Sequence, residues 1–217
     1  MDLYVLVFSP GYYRQNPLEI FAVYNGGLSI QGVLIAGIIF AVWYTRRTGI
    51  GFWRTADAFA PAIILWQAIG RIGCDVFGVP MDKAYPWGVM VGSQLLHPAQ
   101  LYEALLNLAL FTYLWWSRGR TKYDGQLFIR YLIGFSLIRA AIEFFRTNPV
   151  VIGPFTVAHV TSLAIITASI VTGSLLKRKA KRNEPDTGEG PSRVSLLEYL
   201  IIVAGGAAGT LIYFSIY

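Results

Sequence analysis

One cysteine, Cys74, and two histidines, His97 and His159, are all that 217 residues offer of the side chains that build disulfides and metal centres. A lone cysteine excludes an intramolecular disulfide. Neither histidine has a ligand-type partner three or four residues away, so no metal site is expected, and no cofactor motif is present. Charge is scarce too, at 14% of residues against roughly a quarter in an ordinary soluble domain. With 55% hydrophobic residues and a mean hydropathy of +0.51, the chain cannot cover a water-facing surface and is built for lipid. A cleavable leader is not visible: "MDLYVLVFSPGYY" lacks a basic n-region and its apolar stretch is short, so it reads as the tail of an apolar segment. No internal repeat appears, which removes the inverted-repeat plan of small-solute transporters.

What the chain does have is apolar runs of membrane length. A span needs about 20 residues to cross a hydrocarbon core roughly 30 Å thick, and windows of that size fall at 28–44, 57–73, 98–116, 126–145, 155–176 and 195–216. The expected fold is therefore all-α, a polytopic bundle of about six transmembrane helices. Lys and Arg orient it, because positive connections stay cytoplasmic. Arg46, Arg47, Arg54, Arg118, Arg120, Lys122 and six more in "KRKAKRNEPDTGEGPSR" share one face. The other face holds Arg14, Lys83, Arg146 and, at a span end, Arg71. The net charge of +6 is thus a topology signal, and nothing else supports a nucleic-acid partner.

An ionisable group inside a span costs at least ~2.5 kcal/mol near the bilayer centre, so it faces a cavity, a partner or a substrate. Arg71 closes the second window, Glu103 opens the third, and Arg130, Arg139 and Glu143 lie along "QLFIRYLIGFSLIRAAIEFF". Arg139 and Glu143 are four apart and share a helical face, so they can neutralise each other. Arg139 and Arg71 would also put two guanidinium groups near the outer mouth, a bidentate clamp for phosphate. Arg130 is close enough to the cytoplasmic end to snorkel there.

The connection 74–97 is too apolar for a solvated loop. Pro80, Pro86, Gly78, Gly88 and Gly92 break any long helix in it, and an irregular segment at this depth lines a cavity. Tyr12, Tyr13, Tyr24, Tyr85 and Trp87 suit an aromatic belt at the same interface. His97 stands before Pro98, with Gln100, Tyr102 and Glu103 on the turn that follows. It can shuttle a proton, bond a headgroup or merely satisfy a helix end. His159 suits packing or an inter-helix hydrogen bond. Gly32, Ala36, Gly37, Gly205 and Gly209 follow the small-residue spacing of close helix contacts.

Taken in order, "GGLSIQGVLIAG", "AIGRIGCDVFG" with "YPWGV", "HPAQLYEALL" and "YLIGFSLIRAAIEFFRTNP" resemble the prolipoprotein diacylglyceryl transferase family of bacterial inner-membrane enzymes. The resemblance implies transfer of a diacylglyceryl group from phosphatidylglycerol to the lipobox cysteine of a prolipoprotein signal peptide, at the outer face of the cytoplasmic membrane. It places the headgroup-binding Gly-Arg pair on Gly70 and Arg71, with Gly73 and Gln100 beside them, and the second essential arginine on Arg139, followed by Glu143. It also divides the chain into a transferase-like membrane domain at 1–176, a basic cytoplasmic linker at 177–194 and an added helix at 195–217.

The chain departs from that pattern at several polar positions. Gln31 stands where the family usually has a histidine proposed to deprotonate the thiol, Cys74 replaces an asparagine, Val79 an acidic residue and Phe135 a tyrosine. An N-terminal span and most of the next are short of the family's plan. Glutamine cannot be a general base, so the proton must go to His97, or the thiol must ionise in the field of the two arginines. The competing reading is a non-catalytic paralogue that keeps the clamp, loses proton transfer, and binds anionic headgroups or scaffolds membrane proteins.

Overall fold

The computed structural model describes residues 30–146, 150–152, 155–182 and 195–216, with backbone alone at 30–36, 150–152, 182, 196 and 199. The expectations for 1–29, including Arg14, Tyr12, Tyr13 and Tyr24, and for 183–194 lie outside the described residues.

The described chain is mostly helical. Its helices are α1 (Ile30–Thr48), α2 (Phe52–Ile72), α3 (Ala99–Ser117), α4 (Gln126–Glu143), α5 (Val157–Arg182) and α6 (Leu196–Ile216). Each coincides within a few residues with one of the apolar windows, except that α5 continues through the basic stretch to Arg182. One of them, α5, is long and apolar enough over Val157–Lys181 to cross a membrane by that measure alone, and Leu200–Ile216 is a shorter apolar stretch.

The chain divides into two compact units, Met1–Thr55 and Ala56–Tyr217. In the first, α1 ends on Arg46 and Arg47, cations suited to the negative end of the helix dipole. Gly49 follows at φ 72°, the left-handed position that stops helices.

In the second unit the core joins Ala60 and Ile64 of α2, Phe111 and Leu114 of α3, and Leu127 and Tyr131 of α4. These helices approach one another closely at their crossings. Small residues at the crossings fit that account. A Cβ added to Gly134 would lie 2.6 Å from Leu110, and one at Gly209 would lie 2.6 Å from Ile72. The N-terminus of α4 has no capping side chain of its own. Asp57 of α2 supplies one from outside, accepting hydrogen bonds from the N–H groups of Gly125 at 2.7 Å and Phe128 at 2.8 Å. A carboxylate there meets both the orphan donors and the positive end of the dipole.

The segment expected to be irregular is more ordered than its composition suggests. Within 74–97, β1 (Val89–Val91) and β2 (Gln94–Leu96) form an antiparallel hairpin. Its two-residue turn starts at Gly92 with φ 61°, as the tight hairpin turns require. A second small ribbon pairs β3 (Val150–Ile152) with β4 (Phe155–Thr156) just before α5.

Candidate functional site

Main-chain hydrogen bonds lace the connection after α2 to the start of α3 and the end of α4. The N–H of Gly78 donates to the carbonyl of His97 at 2.8 Å, and His97 returns a bond to Val79 at 3.1 Å. Val79 donates to Phe145 at 2.8 Å, and Met81 to Leu95 at 2.9 Å. Three segments meet so closely at Gly78 that an added Cβ would crowd the carbonyl oxygens of both Phe145 and His97. This tie brings the charged ends of α2, α3 and α4 to one place.

Arg71 lies in the last turn of α2, where a cation suits the dipole. Its Nε donates to Oε1 of Glu103 on α3 at 3.0 Å, and its Nη1 reaches Sγ of Cys74 at 3.7 Å. Glu103 is 1% exposed, so its charge depends on that partner. On α4, Nη2 of Arg139 meets Oε2 of Glu143 at 3.3 Å, the pair expected from their spacing. Glu143 also accepts a 2.7 Å bond from the hydroxyl of Thr156, whose N–H donates to Nδ1 of His159 at 3.2 Å.

Arg146, just past α4, belongs to the same group. Burial pushes its guanidinium below the ordinary arginine value, and the like charges of Arg139 and Arg71 push further, against the pull of Glu103 and Glu143. Three guanidinium groups and two carboxylates therefore share one field with positive charge in excess. Among the described residues, Nη1 of Arg139, Nε of Arg146 and Oε2 of Glu103 have no hydrogen-bond partner. Guanidinium forks held in this way can take a phosphate bidentately.

A stripe of buried polar side chains runs along α3 through the cluster. Gln100, Glu103 and Asn107 recur on one face of α3, and among the described residues both amide groups lack partners, as does the hydroxyl of Ser136 on α4. Sequence reading placed Arg146 at the outer face, after Arg139 and Glu143, without a role, and missed Asn107 and the pairing of Arg71 with Glu103. The spacing of 100, 103 and 107 in an otherwise apolar helix was the available signal.

The remaining sequence-derived candidates fall as follows. Gly70 and Gly73 have open space where a Cβ would stand. Nδ1 of His97 is 3.2 Å from the hydroxyl of Tyr102, and its ring packs edgewise on Phe145. Phe135 stacks on Tyr131 against the apolar core. Gln31 is in the first turn of α1, in the first unit, and its side chain is outside those described.

Comparison with known proteins identifies the family. A family model described as prolipoprotein diacylglyceryl transferase matches residues 3–175, which leaves α6 outside it. A phosphatidylglycerol–prolipoprotein diacylglyceryl transferase of Clostridioides difficile (strain 630) is 37% identical over 183 residues, covering 83% of this chain and 74% of that protein. Proteins of the same name from Bacillus mycoides (strain KBAB4), 34% identical, and Bacillus anthracis (strain A0248), 33% identical, each match over 78% of this chain and 68% of their own length. With a family model matching most of the residues and relatives of this identity over most of their length, the chain belongs to the prolipoprotein diacylglyceryl transferase family.

Proposed function

We propose that the chain transfers the diacylglyceryl group of phosphatidylglycerol to the thiol of a prolipoprotein lipobox cysteine. The thiolate sulfur attacks the glyceryl carbon that bears the phosphate, an S–C bond forms, the C–O bond breaks, and glycerol phosphate leaves with the electron pair. Arg71, Arg139 and Arg146 hold the phosphate and take up the charge that grows on it, an electrostatic contribution strongest where water is excluded. The open space at Gly70 and Gly73 admits the headgroup, and Cys74 stands beside Arg71. The amides of Gln100 and Asn107 bond its glycerol hydroxyls, and Phe135 backs the second arginine one turn away. Glu143 holds Arg139 in place.

The thiol proton goes to His97. With Nδ1–H donating to Tyr102, Nε2 keeps its lone pair for the task. The guanidinium field assists by favouring the thiolate. Gln31 serves at most as a hydrogen-bonding group.

The enzyme works in the bacterial cytoplasmic membrane as a multi-pass protein. The described helices run from 18 to 26 residues, or ~27–39 Å at 1.5 Å per residue, and their outward faces are apolar, with Trp66 77% and Leu211 73% exposed. In this reading the transferase domain spans 1–176, 177–194 is its cytoplasmic linker, and 195–217 is a further span.

The observation that carries the proposal is the shared field of three arginines around two buried carboxylates. Its test is diacylglyceryl transfer from labelled phosphatidylglycerol to a lipobox peptide, in membranes that contain this chain and lack other transferase. Arg71→Ala and Arg139→Ala should each lower the rate by about 10²-fold, the usual cost of a transition-state charge contact. Full activity in both variants would overturn the assignment.

A further inference from the structure

α2, α3 and α6 border a half-open cavity of about 490 Å³ with hydrocarbon walls, among them Ile69 and Ile72, Leu101 and Leu105, Ile202 and Gly205. One end begins at the cluster: Ile72 follows Arg71 in sequence, and Leu101 and Ala104 flank Glu103. The far end is bounded by Trp115 and Glu198. There Arg118 pairs with Glu198 at 3.4 Å and lies 3.6 Å over the Trp115 ring, which makes a polar floor.

From Leu101 to Trp115 the wall is ~21 Å long at 1.5 Å per residue, more than the ~15 Å of one leaflet. A slot of that length with an apolar lumen, whose first wall residues Ile72 and Leu101 adjoin the charged cluster in sequence, fits an amphiphile. A second helix does not fit, because a cylinder ~10 Å wide and as long fills roughly 1,600 Å³. Within α6, Gly206 and Gly209 are packed against Leu108 and Ile72, whereas a Cβ on Gly205 would meet nothing within 4 Å. Gly205 is thus the position at which α6 leaves the lumen open.

We propose that this cavity receives one acyl chain of the donor phospholipid, and that α6, which lies outside the family match, sets through Gly205 the chain length admitted. The proposal rests on the transferase reading and adds a specificity element to it. A leucine at 205 would occupy the lumen partway down, so a long chain would lose its place while a short one would still reach.

The test uses the full chain in proteoliposomes and compares kcat/KM for dioctanoyl phosphatidylglycerol, whose chains end above position 205, and distearoyl phosphatidylglycerol, whose chains pass it, in the wild type and in Gly205→Leu. The stearoyl-to-octanoyl ratio should fall at least ~10-fold, since a few methylenes in an apolar pocket discriminate by that much. An unchanged ratio would overturn the proposal. A second measurement does not depend on turnover: phosphatidylglycerol carrying a diazirine at the end of one acyl chain is irradiated with the wild-type protein. Adducts on α6 near 205 or at the Trp115 floor support the cavity as an acyl site. Labelling confined to the outer faces of the bundle assigns the cavity to another occupant and refutes it. Adducts in the cavity without transfer from either donor would refute the transferase reading and retain the lipid site.

Discussion

Replacing Glu103 with glutamine removes a charge and almost no volume, which makes Glu103→Gln a sharp test of how the cluster works. The carboxylate is buried at 1% exposure and holds Nε of Arg71 at 3.0 Å. Two opposing consequences follow. The site loses one of two negative charges against three positive ones, so an anionic headgroup should bind more tightly. At ~6 Å and an effective dielectric of about 20, that charge is worth up to ~3 kcal/mol. Solvent at the 27% exposed Arg71 reduces this, and ~1 kcal/mol, or a several-fold fall in KM, is expected. Against that, Arg71 loses the contact that aims it, and a displacement of ~1 Å at a reacting centre costs about 10²-fold in rate. The expected result is a large fall in kcat with KM unchanged or lower, read from initial rates across phosphatidylglycerol concentration in mixed micelles. A raised KM with an unaltered kcat would show that Glu103 contributes to binding and does not orient Arg71, and the reasoning would fail.

Arg139→Lys keeps the charge but loses the planar fork, so transfer should drop by at least ~10-fold despite preserved net charge; activity equal to wild type would contradict a bidentate role. Gly78→Ala places a methyl against the carbonyl oxygens of His97 and Phe145. Overpacking of that kind costs ~1–3 kcal/mol, so the thermal midpoint in detergent should fall by several degrees, and an unaltered midpoint would mean the three segments are not tied there.

The helices were legible because apolar runs of span length end at visible stops. Pro98 opens α3, the basic turn after Ser117 closes it, and the window expected at 195–216 is the helix Leu196–Ile216. The contact between Arg139 and Glu143 was legible too, being local and set by helix periodicity. Arg71 and Glu103 belong to different helices, and no spacing rule joins residues so far apart. The hairpin was missed because three-residue strands are too short to show alternation. Asp57 looked like one more polar residue at a span end. Its role as the cap of another helix appears only once α2 and α4 are side by side.

The lacing of 78–81 to 95–97 and Phe145 uses only amide and carbonyl groups. Position there is written in the main chain, and main-chain atoms are common to every amino acid except where proline removes a donor. Side chains along that stretch can therefore change with little effect on where the arginines stand, provided residue 78 stays without one. Val79 sits on a scaffold indifferent to its side chain, whereas Cys74, outside the lacing, meets Arg71 through its own sulfur. That stretch can drift toward new donors or acceptors while the arginines beside it keep their aim.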